Sequence, residues 1–208
     1  MATLQDWAED VNRDIPEPLF EVIARHTSYV VQDFFRRSEA WRHVEQFNVL
    51  EGVDKYLLVL TPSDTYPRAT VNAYVTDVNG NRTKLVSTLW HRIKFDASNC
   101  PRYYALKDGE IYIDGTTDLG VLDVEVILQP TRNIEEIPDE VADMWYDDIR
   151  NGVISRVLLM PRRDWTDIGS AKNYGMLYQE GLESAKREAR NDRSRPKRTV
   201  RFNQSFGW

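Results

Sequence analysis

The sequence predicts an α+β protein with an antiparallel core of three main helices, an inserted antiparallel β-sandwich or barrel, and an extended C-terminal arm. Three observations predict it. Apolar residues recur at helical spacing near both ends of the chain, the middle switches to a period of two, and the last residues lose periodicity altogether. The expected segments are 1–43, a lead and first core helix; 44–130, the inserted β-domain; 131–190, two further core helices; and 191–208, the arm.

Residues 1–15 read as a short polar lead. Pro16 and Pro18 then open a helix, because proline is tolerated in a first turn. From Leu19 to Trp41 the apolar positions 19, 20, 22, 23, 30, 31, 34 and 35 mark a core-facing helix. Arg36 and Arg37 lie near its end, where cations oppose the negative pole of the helix dipole.

From about Val44 the pattern is that of strands. Lys55–Leu60 reads as a buried-type run, and Ala69, Val71, Ala73 and Val75 alternate with polar or aromatic neighbours. Asn79-Gly80 supplies a two-residue hairpin turn before a strand over Thr83–Trp90, and Asp108-Gly109 supplies a second between Tyr103–Leu106 and Glu110–Ile113. Val121–Leu128 places Leu122, Val124, Val126 and Leu128 on one face.

Ile137-Pro138-Asp139 starts the return to helix. Val141, Trp145, Ile149, Val153 and Val157 form an i, i+4 stripe that Met160-Pro161 stops, and Asp139, Glu140 and Asp143 suit the positive pole of its dipole. Trp165-Thr166-Asp167 caps a last helix reaching about Arg190. Its inner face is Ala171, Tyr174, Tyr178, Leu182, Ala185 and Ala189, with Gly175 and Gly181 allowing close helix approach. The two late helices should pack on Leu19–Trp41.

Charge is distributed unevenly. Lys186–Arg201 holds eight basic and two acidic residues, a net of +6; the whole chain is −6, so residues 1–185 carry −12. Phe202, Phe206 and Trp208 follow the basic run. Composition alone favours a solvated tail, but a basic arm tipped with aromatics has little to fold on by itself and reads as an anchor into a partner.

Little supports catalysis. The single cysteine, Cys100, excludes an internal disulfide and suits a reducing compartment. No apolar run approaches the ~18 residues of a membrane span, and the acidic N-terminus does not read as a signal peptide, so assembly in a cytoplasm is expected. His26, His43 and His91 are scattered without ligand-spaced neighbours. Asp139, Asp143 and Asp147 share a helix face, which their place near a helix start explains without a metal. There is no phosphate-binding glycine loop, no G-x-S-x-G, no H-E-x-x-H and no C-x-x-C. The expectation is a protein that is not an enzyme and has no cofactor, metal site or membrane partner. The arm alone could bind nucleic acid, since arginine and lysine neutralise phosphates and aromatics stack on bases, but the acidic body would repel a duplex.

The segment Gly152…Arg156-Val157-Leu158-Leu159-Met160-Pro161…Trp165-Thr166-Asp167…Ala171…Tyr174…Gly181…Ala185 resembles the helix–Met-Pro–Trp–helix region of the head-to-tail adaptors, the neck proteins of tailed bacteriophages. Phe34-Phe35…Ser38-Glu39-Ala40-Trp41, the Ile137-Pro138-Asp139 entry and a terminal arm containing Arg201-Phe202 are similar to that family too. The layout covers nearly the whole chain, most strongly over roughly 137–185.

The resemblance implies a structural virion protein. It would form a homo-oligomeric ring, usually of twelve copies, under the portal protein ring at the neck between capsid and tail. The ring extends the DNA channel, lets genomic DNA pass without specific binding, and gives tail or nozzle proteins a platform, here the β-domain. On that reading Arg193, Arg195, Lys197, Arg198 and Arg201 pair with charges on the portal, and Phe202, Phe206 and Trp208 are buried anchors. Short-tailed and long-tailed phages both use such adaptors. The alternatives are a nucleic-acid-binding protein that uses the same arm, and another tail-completion or baseplate component.

Overall fold

The expected polar lead is a structured element, because its apolar residues Leu4, Trp7, Ala8 and Val11 already stand at helical spacing. The computed structural model describes residues 2–60, 63–116 and 119–194, and within them the chain is a mixed α+β protein with four α-helices and no closed barrel. Strand β1 (Ala2–Thr3) leads into helix α1 (Leu4–Asp14) and then α2 (Phe20–Ser38). Strands β2 (Arg42–Asn48), β3 (Lys55–Leu57), β4 (Thr65–Asp77), β5 (Arg82–Lys84), β6 (Val86–Ser87), β7 (Tyr103–Lys107), β8 (Glu110–Ile113) and β9 (Leu119–Pro130) follow. The short β10 (Glu136–Ile137) precedes α3 (Asp139–Leu158) and α4 (Ile168–Ser194).

Helix α1 starts with a capping box. The Thr3 hydroxyl accepts from the Asp6 amide at 3.3 Å, and the Asp6 carboxylate accepts from the Thr3 amide at 2.9 Å, so two otherwise orphaned donors are satisfied. Trp7 is fully buried, stacks on Tyr146 with ring centroids 5.1 Å apart, and donates its indole N–H to the Tyr146 carbonyl. Polar residues fill the outer face of α1, and they disguise it as a lead.

Helix α2 buries Ile23, Val30, Val31, Phe34 and Phe35, whereas Leu19 and Phe20 are exposed at its start. Its end is set by Glu39, at φ 56°, whose amide donates back to the Phe35 carbonyl. The stripe expected on α3 is present, with Trp145, Ile149, Val153 and Val157 buried; Trp145 itself departs from helical geometry (φ −124°, ψ 17°). Asp167 begins α4 as expected: its carboxylate accepts from the amide and the hydroxyl of Ser170. Helix α4 continues to Ser194, four residues past the expected end.

Helices α2, α3 and α4 pack together, and all three meet at Gly152. A Cβ there would lie 2.6 Å from the Tyr178 ring and 2.8 Å from Val30, so glycine is what lets the three helices meet.

The β-region is two four-stranded sheets, ordered β2-β9-β4-β5 and β3-β8-β7-β6. It departs from the expected all-antiparallel pattern at one pair, since β6 runs parallel to β7. The cause is the segment expected as one strand over Thr83–Trp90. It splits, with β5 in the first sheet and β6 in the second, and buried Leu85 makes the crossing. A 3-10 turn over Trp90–Arg92 then closes over the small sheet.

Two further expectations are corrected. Lys55–Leu60 is not buried on both sides: Tyr56 and Leu58 point inward, and Leu57 and Val59 are exposed. The turn at Asn79-Gly80 is longer than two residues. Asp77 donates its amide to the Asn81 carbonyl, and its carboxylate accepts from the amides of Asn79 and Asn81, which leaves Gly80 in the left-handed region. Asp108-Gly109 is the expected two-residue turn, with φ of 52° and 81° between paired Lys107 and Glu110.

Leu122, Val124, Val126 and Leu128 of β9 are all fully buried, and α2 packs against this strand. The buried apolar residues of the helices and of both sheets form one continuous cluster.

Candidate functional site

Helix α4 carries the start of the arm. At 1.5 Å per residue its 27 residues make a rod of about 40 Å. One side is fastened by buried Ala171, Tyr178, Leu182, Ala185 and Ala189, and Tyr174 is half-buried on the same side. Arg193 lies in the last turn of this helix. Arg195, Lys197, Arg198, Arg201, Phe202, Phe206 and Trp208 lie outside the described residues.

The surface beside the last turns of α4 is a small groove of about 210 Å³, walled by Val141, Met144, Trp145 and Ala189 and edged by Glu140 and Glu188. Arg42 fastens it to the sheet: its guanidinium donates to the Ala189 carbonyl and to the Glu125 carboxylate, the latter at 3.0 Å.

A polar hub joins α2 to α4. The Asp33 carboxylate accepts from Arg36 at 2.8 Å, from Arg37 at 3.1 Å and from the Tyr178 hydroxyl at 3.1 Å. Burial pushes this carboxyl upward, but the bonds from Arg37, Arg36 and Tyr178 outweigh it and hold Asp33 below the usual carboxylate range. Tyr178 moves the other way: burial first, then the Asp33 charge and hydrogen bond, raise its phenol well above the ordinary value. Arg37 also donates to Gln179 at 3.0 Å, so one arginine reads both helices.

The small sheet presents a different surface. Its register places Leu57, Tyr112, Tyr103 and Val86 on the outer face, opposite the buried Tyr56, Ile111, Ile113 and Tyr104. Leu57, Tyr103 and Val86 are exposed, as are Leu89 and Trp90 beside them, and Lys107 sits 3.8 Å over the Trp90 ring. The same register puts Lys55, Glu110 and Lys107 on this face, with Lys55 paired to Glu110 at 3.2 Å, and a mixed face of exposed apolar, aromatic and charged groups is chemically suited to a protein surface.

No protein-family model matches the chain, and no curated protein matches it.

The histidines do not converge. His43 contacts the Glu45 carboxylate at 2.8 Å, His91 lies in the 3-10 turn, and His26 is on α2 with a buried Nδ1 that has no hydrogen-bond partner among the described residues. Among the described residues no three His, Cys, Asp or Glu side chains come together as metal ligands, and no helix is long and apolar enough to cross a membrane. Cys100 is exposed and unpaired.

Sequence reading passed over the Asp33 hub, because Asp33, Arg36 and Arg37 look like an ordinary charged helix end until α4 brings Tyr178 to them. It passed over the outer face of the small sheet too. That face depends on the strand exchange at Leu85, which has no local signature.

Proposed function

We propose that this chain is a structural virion protein, a head-to-tail adaptor that assembles as a ring below a portal and continues its DNA channel. The observation that carries this reading is the separation of charge along the chain, +6 on Lys186–Arg201 against −12 on residues 1–185. An acidic body suits a conduit that lets DNA pass without adhering to it. A basic, aromatic-tipped extension suits docking on an acidic, grooved protein partner, with arginines giving charge pairs and aromatics filling pockets.

In this reading the helices α2, α3 and α4 are the framework of the ring. The two sheets form a projecting sandwich, and the outer face carrying Leu57, Tyr103, Val86 and Trp90 is the platform for tail proteins. Helix α4 holds the arm at a fixed distance from that platform. Arg193, Arg195, Lys197, Arg198 and Arg201 then make the polar contacts to the portal, and Phe202, Phe206 and Trp208 the apolar ones. The role is structural, in the neck of a virion assembled in a host cytoplasm.

Ending the chain after Ser194 tests this directly. The shortened protein is expected to unfold at nearly the same temperature as the full chain, because α4 keeps its buried residues through Ala189. It should no longer co-sediment with the portal ring encoded by the same genome. Co-sedimentation that survives the truncation would overturn the docking role.

A further inference from the structure

A second pocket, of about 290 Å³, lies where α2, α3 and β9 meet, lined by Tyr29, Gln32, Asp33, Arg36, Gln129 and Arg156. Its lining is almost entirely hydrogen-bond donors. Arg156 is exposed and makes no ion pair or hydrogen bond among the described residues. The Arg36 guanidinium spends one edge on Asp33 and retains donors beyond it. Gln32 uses its amide nitrogen toward Ser28 at 3.1 Å and keeps a second N–H. The Gln129 amide and the Tyr29 hydroxyl are uncommitted among the described residues. The one carboxylate, Asp33, already accepts from Arg36, Arg37 and Tyr178.

The surroundings add to this. Arg25, Tyr29, Gln32 and Arg36 follow one another at spacings of four, three and four, so they form a single stripe along α2 that ends at the pocket. His26, on the same helix, is held below its ordinary value by burial first and then by the positive charges of Arg156 and Arg25. This is a locally electropositive place on an otherwise acidic body.

We propose that this pocket binds a phosphoryl oxyanion, with Arg156 and Arg36 as the charged fork and Gln32, Gln129 and Tyr29 as neutral donors. The planar guanidinium presents paired N–H groups that match two oxygens of a tetrahedral phosphate, and neutral amides select for geometry over charge alone. Two guanidinium groups against one satisfied carboxylate leave the site net positive. The pocket is of a size for an anion or a single backbone phosphate, and small for a larger organic ligand. Free phosphate and the phosphate of a nucleic-acid backbone share this chemistry. None of its lining residues belongs to the C-terminal arm, and the site does not rest on the adaptor reading.

The test follows the side-chain amide resonances of Gln32 and Gln129 in the full-length protein. Inorganic phosphate, a short DNA duplex, and sodium chloride at matched ionic strength are each titrated into the wild type, R156Q and Q129M. Phosphate is expected to move these resonances saturably, with apparent affinity about tenfold weaker in R156Q, the equivalent of about 1.4 kcal/mol. Q129M should weaken it as well, by a smaller factor, and serves if R156Q disturbs the backbone spectrum elsewhere. Movement by phosphate identifies a free anion as a sufficient ligand. Movement by duplex alone, lost in R156Q, identifies a backbone phosphate. An equal response to chloride, a response unchanged in both variants, or no response to either phosphate source would overturn the site.

Discussion

Tyr178 is where three helices are held in register. Its ring fills the space that Gly152 leaves on α3, packs 6.1 Å from Phe34 of α2, and its hydroxyl donates to Asp33. Tyr178→Phe keeps the ring and removes only the donor, so a loss of about 1.5–3 kcal/mol is expected in denaturant unfolding, the usual worth of a hydrogen bond to a charged group. The pair also sets pH limits. Asp33 is depressed in the folded state, so its contribution is complete above the ordinary value of 3.8 and fades as pH falls through the folded value. Tyr178 is raised, so its contribution is complete below the ordinary value of 10.0 and fades as pH climbs above that. In Tyr178→Phe the alkaline fall in stability above that point should shrink. An alkaline limb as steep as that of the wild type would show that another group governs it.

At the scale of elements, α1 is held by its cap as well as by its buried face. Thr3→Ala removes the hydroxyl that accepts from the Asp6 amide, and a loss of about 1 kcal/mol is expected in thermal or denaturant unfolding. An unchanged stability would mean that Trp7 on Tyr146 holds the helix without its cap. This helix shows how far the sequence could be read. Leu4, Trp7, Ala8 and Val11 and the Thr3-x-x-Asp6 pair were visible, yet the polar outer face made them resemble a lead. The longer helices were legible because their stripes run for several turns, and β9 was legible because Leu122, Val124, Val126 and Leu128 alternate without interruption. The strand exchange at Leu85 was not, since a crossing between sheets is decided by which partner supplies the next backbone hydrogen bond. Leu85 bonds to Ala73 in one sheet and Val86 bonds to Arg102 beside the other, and nothing local in the sequence encodes that choice. The candidate sites divide in the same way. The basic arm is a composition signal whose residues past Ser194 lie outside the described ones, whereas the pocket at Arg156 needs α2, α3 and β9 brought together before it exists.

At the scale of the whole molecule, the account rests on a body and an arm of opposite charge. Attraction between an acidic body and the arm of a neighbouring copy would drive premature self-association, and ordinary salt weakens such long-range attraction. A partner that buries the aromatic residues as well as pairing the arginines gives the arm a contact that salt alone does not dissolve. The most direct measurement is therefore the native mass of the full-length protein at physiological salt, alone and after mixing with the portal ring from the same genome. The account predicts that portal and chain form one complex, with the chain bound in as many copies as the portal ring has subunits. A chain that ignores the portal and instead shifts duplex DNA, with that shift lost when the chain ends after Ser194, would contradict it, and would make the arm a phosphate clamp.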